Sequence, residues 1–135
     1  MGLRKLPDPP SQTMMTSDQK KALLLLNSVI FNYHGFDEEE QKILEGLATN
    51  IDGKPELVWV QKFIQEDMST LFERAREFFK GTTLTYDKET RISFLNTVWE
   101  GTNKKGHITE MEAMAILKLA KDWGVQRDFL NLVRG

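Results

Sequence analysis

Apolar side chains recur along this chain with the three-to-four-residue spacing of amphipathic helices. An early segment, about residues 17–33, is apolar almost all round, which is typical of a helix at the centre of a bundle. No segment alternates apolar and polar residues between turn signals as a strand would. The pattern predicts an all-α bundle of about seven helices. The clearest amphipathic run places these apolar side chains on one helical face: Met68, Leu71, Phe72, Ala75, Phe78 and Phe79.

Helix starts are marked by capping boxes, in which the side chain three residues after the cap returns a hydrogen bond to it. A polar cap followed by Gln or Glu at this spacing predicts where each helix begins. Three pairs fit the pattern: Thr16 with Gln19, Asp37 with Glu40, and Thr109 with Glu112.

The other helix boundaries follow from glycine, proline and threonine positions. Pro55 suits the first position of a helix over about 55–65, and Gly81 is expected to end the next helix. Because neither Gly nor Pro separates these two segments, one bent helix is the alternative. Thr85 is expected to cap a helix over about 86–100, and a short helix ends the chain.

The chain also repeats one helix–loop–helix unit. Residues 25–30 (LLNSVI) return as residues 94–99 (FLNTVW), and each copy leads through a polar loop to an acidic helix start. One such unit cannot bury its apolar face alone, so two pseudo-symmetric halves are expected to pair. We interpret the repeated Asn27 and Asn96 as structural, with the hydroxyl residue after each bonding back to its own helix.

Composition narrows the class of protein. At 135 residues and 40% hydrophobic side chains, the chain is sized for one domain, expected over residues 16–135. Residues 1–15 hold three of the four prolines and are expected to be a mobile tail. The net charge of −2 argues against a nucleic-acid surface, and the absence of cysteine excludes thiolate ligands and thiol nucleophiles. Because no long apolar run or signal-peptide core is present, we expect a cytoplasmic protein without direct membrane insertion.

The second loop has part of the spacing of a calcium-binding EF-hand. Gly106, Ile108 and Glu112 fall at that loop's glycine, apolar and final glutamate positions. The three positions that need oxygen ligands hold a glycine, an asparagine and a lysine, so this loop is not a working calcium site. The same alignment of the first loop puts Tyr33 where a carboxylate is required.

The duplicated helix, loop and helix, with Gly-x-Ile-x-x-x-Glu in the second copy, resembles the TerB-like (tellurite-resistance) domain family over about residues 16–135. The sequence departs from the family pattern where Lys105 and Tyr33 replace the Asp of each loop, and where His34 replaces a glycine. The positions that match are Gly106, Ile108 and Glu112 in the second copy, and Phe36 and Glu40 in the first.

The resemblance implies an all-helical, non-catalytic binding or scaffold module of the stress-response kind. It further implies a protein partner that is associated with membranes, and in some members a divalent metal held by acidic loop residues. We therefore expect no enzyme activity, no nucleic-acid partner and no cofactor. Loss of both loop aspartates argues against a hard-cation site, because such sites depend on anionic oxygen ligands.

Metal binding between the two loops is the alternative function. The two histidines of the chain, His34 and His107, lie in equivalent loops. If both loops leave the bundle at the same end, His34, Glu40, His107 and Glu112 could form an N₂O₂ site for a transition metal such as Zn²⁺. Such a site would suit a metal-binding protein or a metal-dependent enzyme. The competing interpretation is that the glutamates only close capping boxes and the histidines face solvent.

Overall fold

Seven α-helices make up the described part of the chain, which in a computed structural model comprises residues 15–34, 37–103, 106 and 108–134. No strand occurs within these ranges, which confirms the predicted all-α bundle. The expected tail lies outside them except for its last residue, Met15. The helices are α1 Ser17–Phe31, α2 Glu38–Asn50, α3 Lys54–Glu66, α4 Leu71–Thr82, α5 Lys88–Asn103, α6 Glu110–Asp122 and α7 Gln126–Arg134.

Helix α1 lies at the centre of the bundle, as its all-round apolar sequence predicts. Ten consecutive residues, 22–31, are buried, and the helix packs against α2, α3, α4, α5 and α6. A surface helix buries only one stripe, so burial around the whole circumference requires neighbours on every side. Leucines supply four of these positions, and each contributes roughly 1.5–3 kcal/mol when removed from water.

Contacts between helix ends show that α1 and α5 run in the same direction. Near their starts, Asp18 of α1 and Thr90 of α5 line one surface depression. Near their ends, Gly101 of α5 lies against the ring of Phe31, the last residue of α1. The loops that follow α1 and α5 therefore leave the bundle at the same end, which we call the loop end.

The two halves share one local plan, with one difference inside it. Both α2 and α6 are 13-residue helices that follow a loop and begin with a capping box. The predicted back-bonds are present, from Ser28 Oγ to Leu24 O at 2.8 Å and from Thr97 Oγ1 to Ser93 O at 2.9 Å. The repeated asparagines differ, because Asn27 is buried whereas its counterpart in α5 is only half-buried.

All three predicted capping boxes are confirmed, but one other predicted boundary is wrong. Helix α4 ends at Thr82, one residue after the predicted end at Gly81, which agrees with that prediction. Thr85 does not cap α5, because it belongs to the single 3₁₀ turn Thr83–Thr85. The cap is Asp87, whose carboxylate accepts a hydrogen bond from the Thr90 amide at 2.8 Å.

The alternative of one bent helix over α3 and α4 is also wrong. Asp67 adopts an extended backbone with φ −165°, and its carboxylate accepts hydrogen bonds from the Ser69 amide and hydroxyl. Arg74 then donates to the carbonyls of Phe63 and Asp67, which locks the junction from the side of α4. A polar residue that bonds to nearby backbone can break a helix without Gly or Pro.

None of the helices in the described ranges combines the length and the apolar composition that a bilayer crossing requires.

Candidate functional site at the loop end

Glu40 and Glu112, two of the predicted metal ligands, are the third residues of α2 and α6 and are fully buried. The Asp37 amide donates to Glu40 Oε1 at 3.3 Å, and Asp37 Oδ1 accepts from the Glu40 amide at 2.8 Å. In the second copy, the amide and hydroxyl of Thr109 donate to Glu112 Oε1 at 2.9 and 3.0 Å. Both glutamates therefore act as capping residues at the loop end.

Complete burial distinguishes these two carboxylates from ordinary capping residues. Most capping glutamates lie at the surface, whereas an ionised carboxylate taken fully out of water requires compensating hydrogen bonds or charges. Two such groups therefore lie at repeat-equivalent positions of the loop end.

The predicted histidine ligands fall where the structure gives no side-chain description. His107 and the side chain of His34 lie outside the described residues. Among the residues that are described, no three His, Asp or Glu side chains cluster as a metal site would require. The set of His34, Glu40, His107 and Glu112 therefore stays a prediction. That prediction requires the loops after α1 and α5 to leave the bundle at the same end. The contact between Phe31 and Gly101 shows that they do.

Tyr33 stands where the family pattern has the Asp of the first loop. Its ring packs edge-on against Phe72, with 6.1 Å between the ring centroids. Burial raises the pKa of Tyr33, and the nearby charge of Glu73 raises this pKa further. The phenol therefore stays protonated at neutral pH and cannot supply the anionic oxygen that a hard cation prefers.

Exposed methionines are a feature of the loop end that the sequence analysis missed. Met111 and Met114, in the first two turns of α6, are 59% and 63% exposed. Three carboxylates are also exposed in the first turns of the helices that start here, on Glu38, Glu39 and Glu110. We call these five residues the Met–Glu surface. The two lysines of the second loop lie outside the described residues.

A sequence signal for this surface was available. The buried side of α6 carries Ala115, Ile116 and Leu119, and the methionines at i and i+3 fall on the other side of the same helix. Two large apolar side chains one turn apart on the polar face of an amphipathic helix form a small exposed apolar patch.

Comparison of the whole chain with protein-family models, curated proteins and solved structures found no match.

Proposed function

We propose that this protein is a non-catalytic binding module of the TerB-like kind, which docks a protein partner on the Met–Glu surface. The observation that supports this proposal is the exposure of Met111 and Met114 in the first turns of α6, at the end of the bundle where Glu38, Glu39 and Glu110 are also exposed. Flexible thioether side chains pack against irregular apolar surfaces, and proteins use them where a binding face must adapt to its partner. Burying a methionine on a partner contributes roughly 1.5–3 kcal/mol.

The exposed carboxylates at the loop end define the partner's chemistry. Glu38, Glu39 and Glu110 would attract a basic segment, and Met111 and Met114 require an apolar stripe on that segment. A basic amphipathic helix combines both features. A partner associated with membranes, as the family resemblance implies, commonly carries such helices next to the bilayer.

Site-specific cross-linking tests the proposal. Because the chain has no cysteine, the variant Met114→Cys can be labelled with a photo-cross-linker at that position alone. The variant Leu84→Cys is the matched control, because Leu84 is also an exposed apolar residue and is far from α6 in sequence. We expect a partner adduct from position 114 only, and competition for it by unlabelled protein. The variant Met111→Glu/Met114→Glu should fail to compete. Equal adducts from both positions, or full competition by the glutamate variant, would contradict docking at this surface.

Divalent-metal binding is a second candidate, favoured by the shared end from which the two loops leave. A metal-stripped sample is melted with Zn²⁺, Mn²⁺, Ni²⁺ or Ca²⁺, and the melts are repeated on His34→Ala/His107→Ala. A metal at one hundred times its dissociation constant adds about 2.7 kcal/mol, which is several degrees for a domain of this size. A rise in Tm that the double variant loses supports the N₂O₂ site. Unchanged Tm with all four ions removes this candidate.

A further inference from the structure

A groove runs along the side of the bundle between α2 and α5. Both helices pack on α1 but not closely on each other, and the space between them measures about 350 Å³. A glycine lines each side of it, Gly46 of α2 and Gly101 of α5. A Cβ added at Gly46 would meet no atom within 4 Å, whereas one added at Gly101 would lie 3.3 Å from Cζ of Phe31 and 3.5 Å from Oδ1 of Asn27.

The floor of this groove is a buried amide with unused hydrogen-bonding capacity. Asn27 is 1% exposed, and its Nδ2 donates to the Leu23 carbonyl at 2.9 Å. Among the described residues, none donates a hydrogen bond to Asn27 Oδ1. Asn27 lines the groove, so this oxygen can accept a hydrogen bond from a molecule bound there.

Two solvent-exposed side chains of opposite charge line the groove. Lys42 on α2 and Glu100 on α5 both line the groove. Neither forms an ion pair within 4.0 Å with any described residue. Ile43 and Leu47 are half-buried and add an apolar surface on the same helix as Lys42. One wall thus offers a cation and an apolar surface, and the other wall an anion.

We propose that this groove binds a small zwitterion with an apolar side chain, namely a free apolar amino acid or a dipeptide. Its carboxylate pairs with Lys42, and its ammonium group pairs with Glu100 and donates to Asn27 Oδ1. Its side chain packs on Ile43 and Leu47. The volume of about 350 Å³ lies at the lower end of small-molecule sites, which favours such a ligand over a partner's helix. The groove binds this ligand independently of docking at the Met–Glu surface.

Titration of the full-length ¹⁵N-labelled protein with four probes tests the assignment. L-leucine and the dipeptide Ala-Leu carry both charges, N-acetyl-leucine lacks the ammonium group, and leucinamide lacks the carboxylate. We expect saturable shifts of the Asn27 side-chain amide and of backbone amides along residues 42–50 with leucine or Ala-Leu. Each singly charged probe should bind about twofold to fivefold more weakly, since each loses one ion pair with an exposed side chain.

Charge variants make the test specific to orientation. Glu100→Gln should weaken the binding of leucine and leucinamide about twofold to fivefold and leave that of N-acetyl-leucine unchanged. Lys42→Gln should weaken leucine and N-acetyl-leucine by a similar factor and leave leucinamide unchanged. Gly46→Leu should fill the groove and abolish binding. Gly81→Leu is the matched control, because Gly81 is also a helical glycine with no atom within 4 Å of its Cβ position.

Three outcomes would overturn the proposal. The first is the absence of shifts with any zwitterion up to about 10 mM, a concentration that detects even weak binding. The second is binding that Gly46→Leu or both charge variants leave unchanged, which would place the ligand elsewhere. The third is saturable binding of an uncharged, end-blocked helical peptide in preference to leucine, which would assign the groove to a protein partner.

Discussion

Two glycines inside helices should respond differently to the same substitution. Gly46→Ala adds a Cβ with no atom within 4 Å, so only helix propensity changes, and Ala is favoured over Gly by about 1 kcal/mol. Gly101→Ala gains the same propensity but puts its Cβ 3.3 Å from Cζ of Phe31. Because Phe31 is 0% exposed, its ring cannot move without displacing the core. Overpacking of this kind costs about 1–3 kcal/mol.

These free energies convert into measurable changes in Tm. A chain of 135 residues has an unfolding entropy of about 0.28 kcal/mol/K, so 1 kcal/mol corresponds to about 3–4 °C. Gly46→Ala should therefore raise Tm by about 3–4 °C. Gly101→Ala should leave Tm unchanged or lower it by up to about 7 °C.

Thermal and urea unfolding followed by far-UV circular dichroism give both values, with wild type and Gly81→Ala as references. If Gly101→Ala raised Tm as much as Gly46→Ala, the close approach of α5 to the end of α1 would be refuted. If Gly46→Ala lowered Tm, the open space beside α2 would be refuted instead.

Three further predictions concern single interactions. Thr109→Ala should lower the free energy of unfolding by about 1 kcal/mol because the helix cap is lost, whereas Thr109→Ser should match wild type. Equal urea midpoints for all three proteins would exclude a stabilising cap. Arg76 and Asp122 form a bidentate ion pair with hydrogen bonds of 2.7 and 3.0 Å, and their side chains are only 22% and 19% exposed. A double-mutant cycle on these two residues should therefore give a coupling free energy above roughly 1 kcal/mol, the upper limit for exposed pairs. Burial raises the pKa of Tyr86 from 10.0 to about 12, so the folded state holds this proton more tightly than the unfolded state. The resulting stability is fully present below pH 10 and lost as the pH rises towards 12, and Tyr86→Phe should flatten that slope in unfolding titrations. An unchanged slope would show that other groups cause it.

The sequence predicted the features that local chemistry determines. The capping boxes at Thr16, Asp37 and Thr109 were readable because cap and partner are three residues apart. The central position of α1 was readable because no surface helix carries apolar residues all round. The predicted cap of α5, Thr85, is wrong because Asp87, two residues later, provides a better cap.

The candidate sites were less accessible from the sequence. Glu40 and Glu112 were identified with their capping role, but their complete burial depends on the packing of other helices around the loop end. The groove could not be predicted, because Asn27, Gly46 and Gly101 are far apart in the chain and meet only when α2 and α5 pack on α1. The one feature of the groove that the sequence indicates is Asn27, a polar residue within an apolar helix.

The central position of α1 has a consequence for synthesis of the protein. This helix leaves the ribosome before the helices that cover it, which include α6, ending at Asp122. At translation rates of about 5–20 residues per second, its buried leucines stay uncovered for about 5–20 s. During that interval they are available to chaperones and to other nascent chains. A chain truncated before α6 should therefore aggregate or bind chaperones, whereas the complete chain should unfold in one cooperative transition in which the α1 amides exchange hydrogen last.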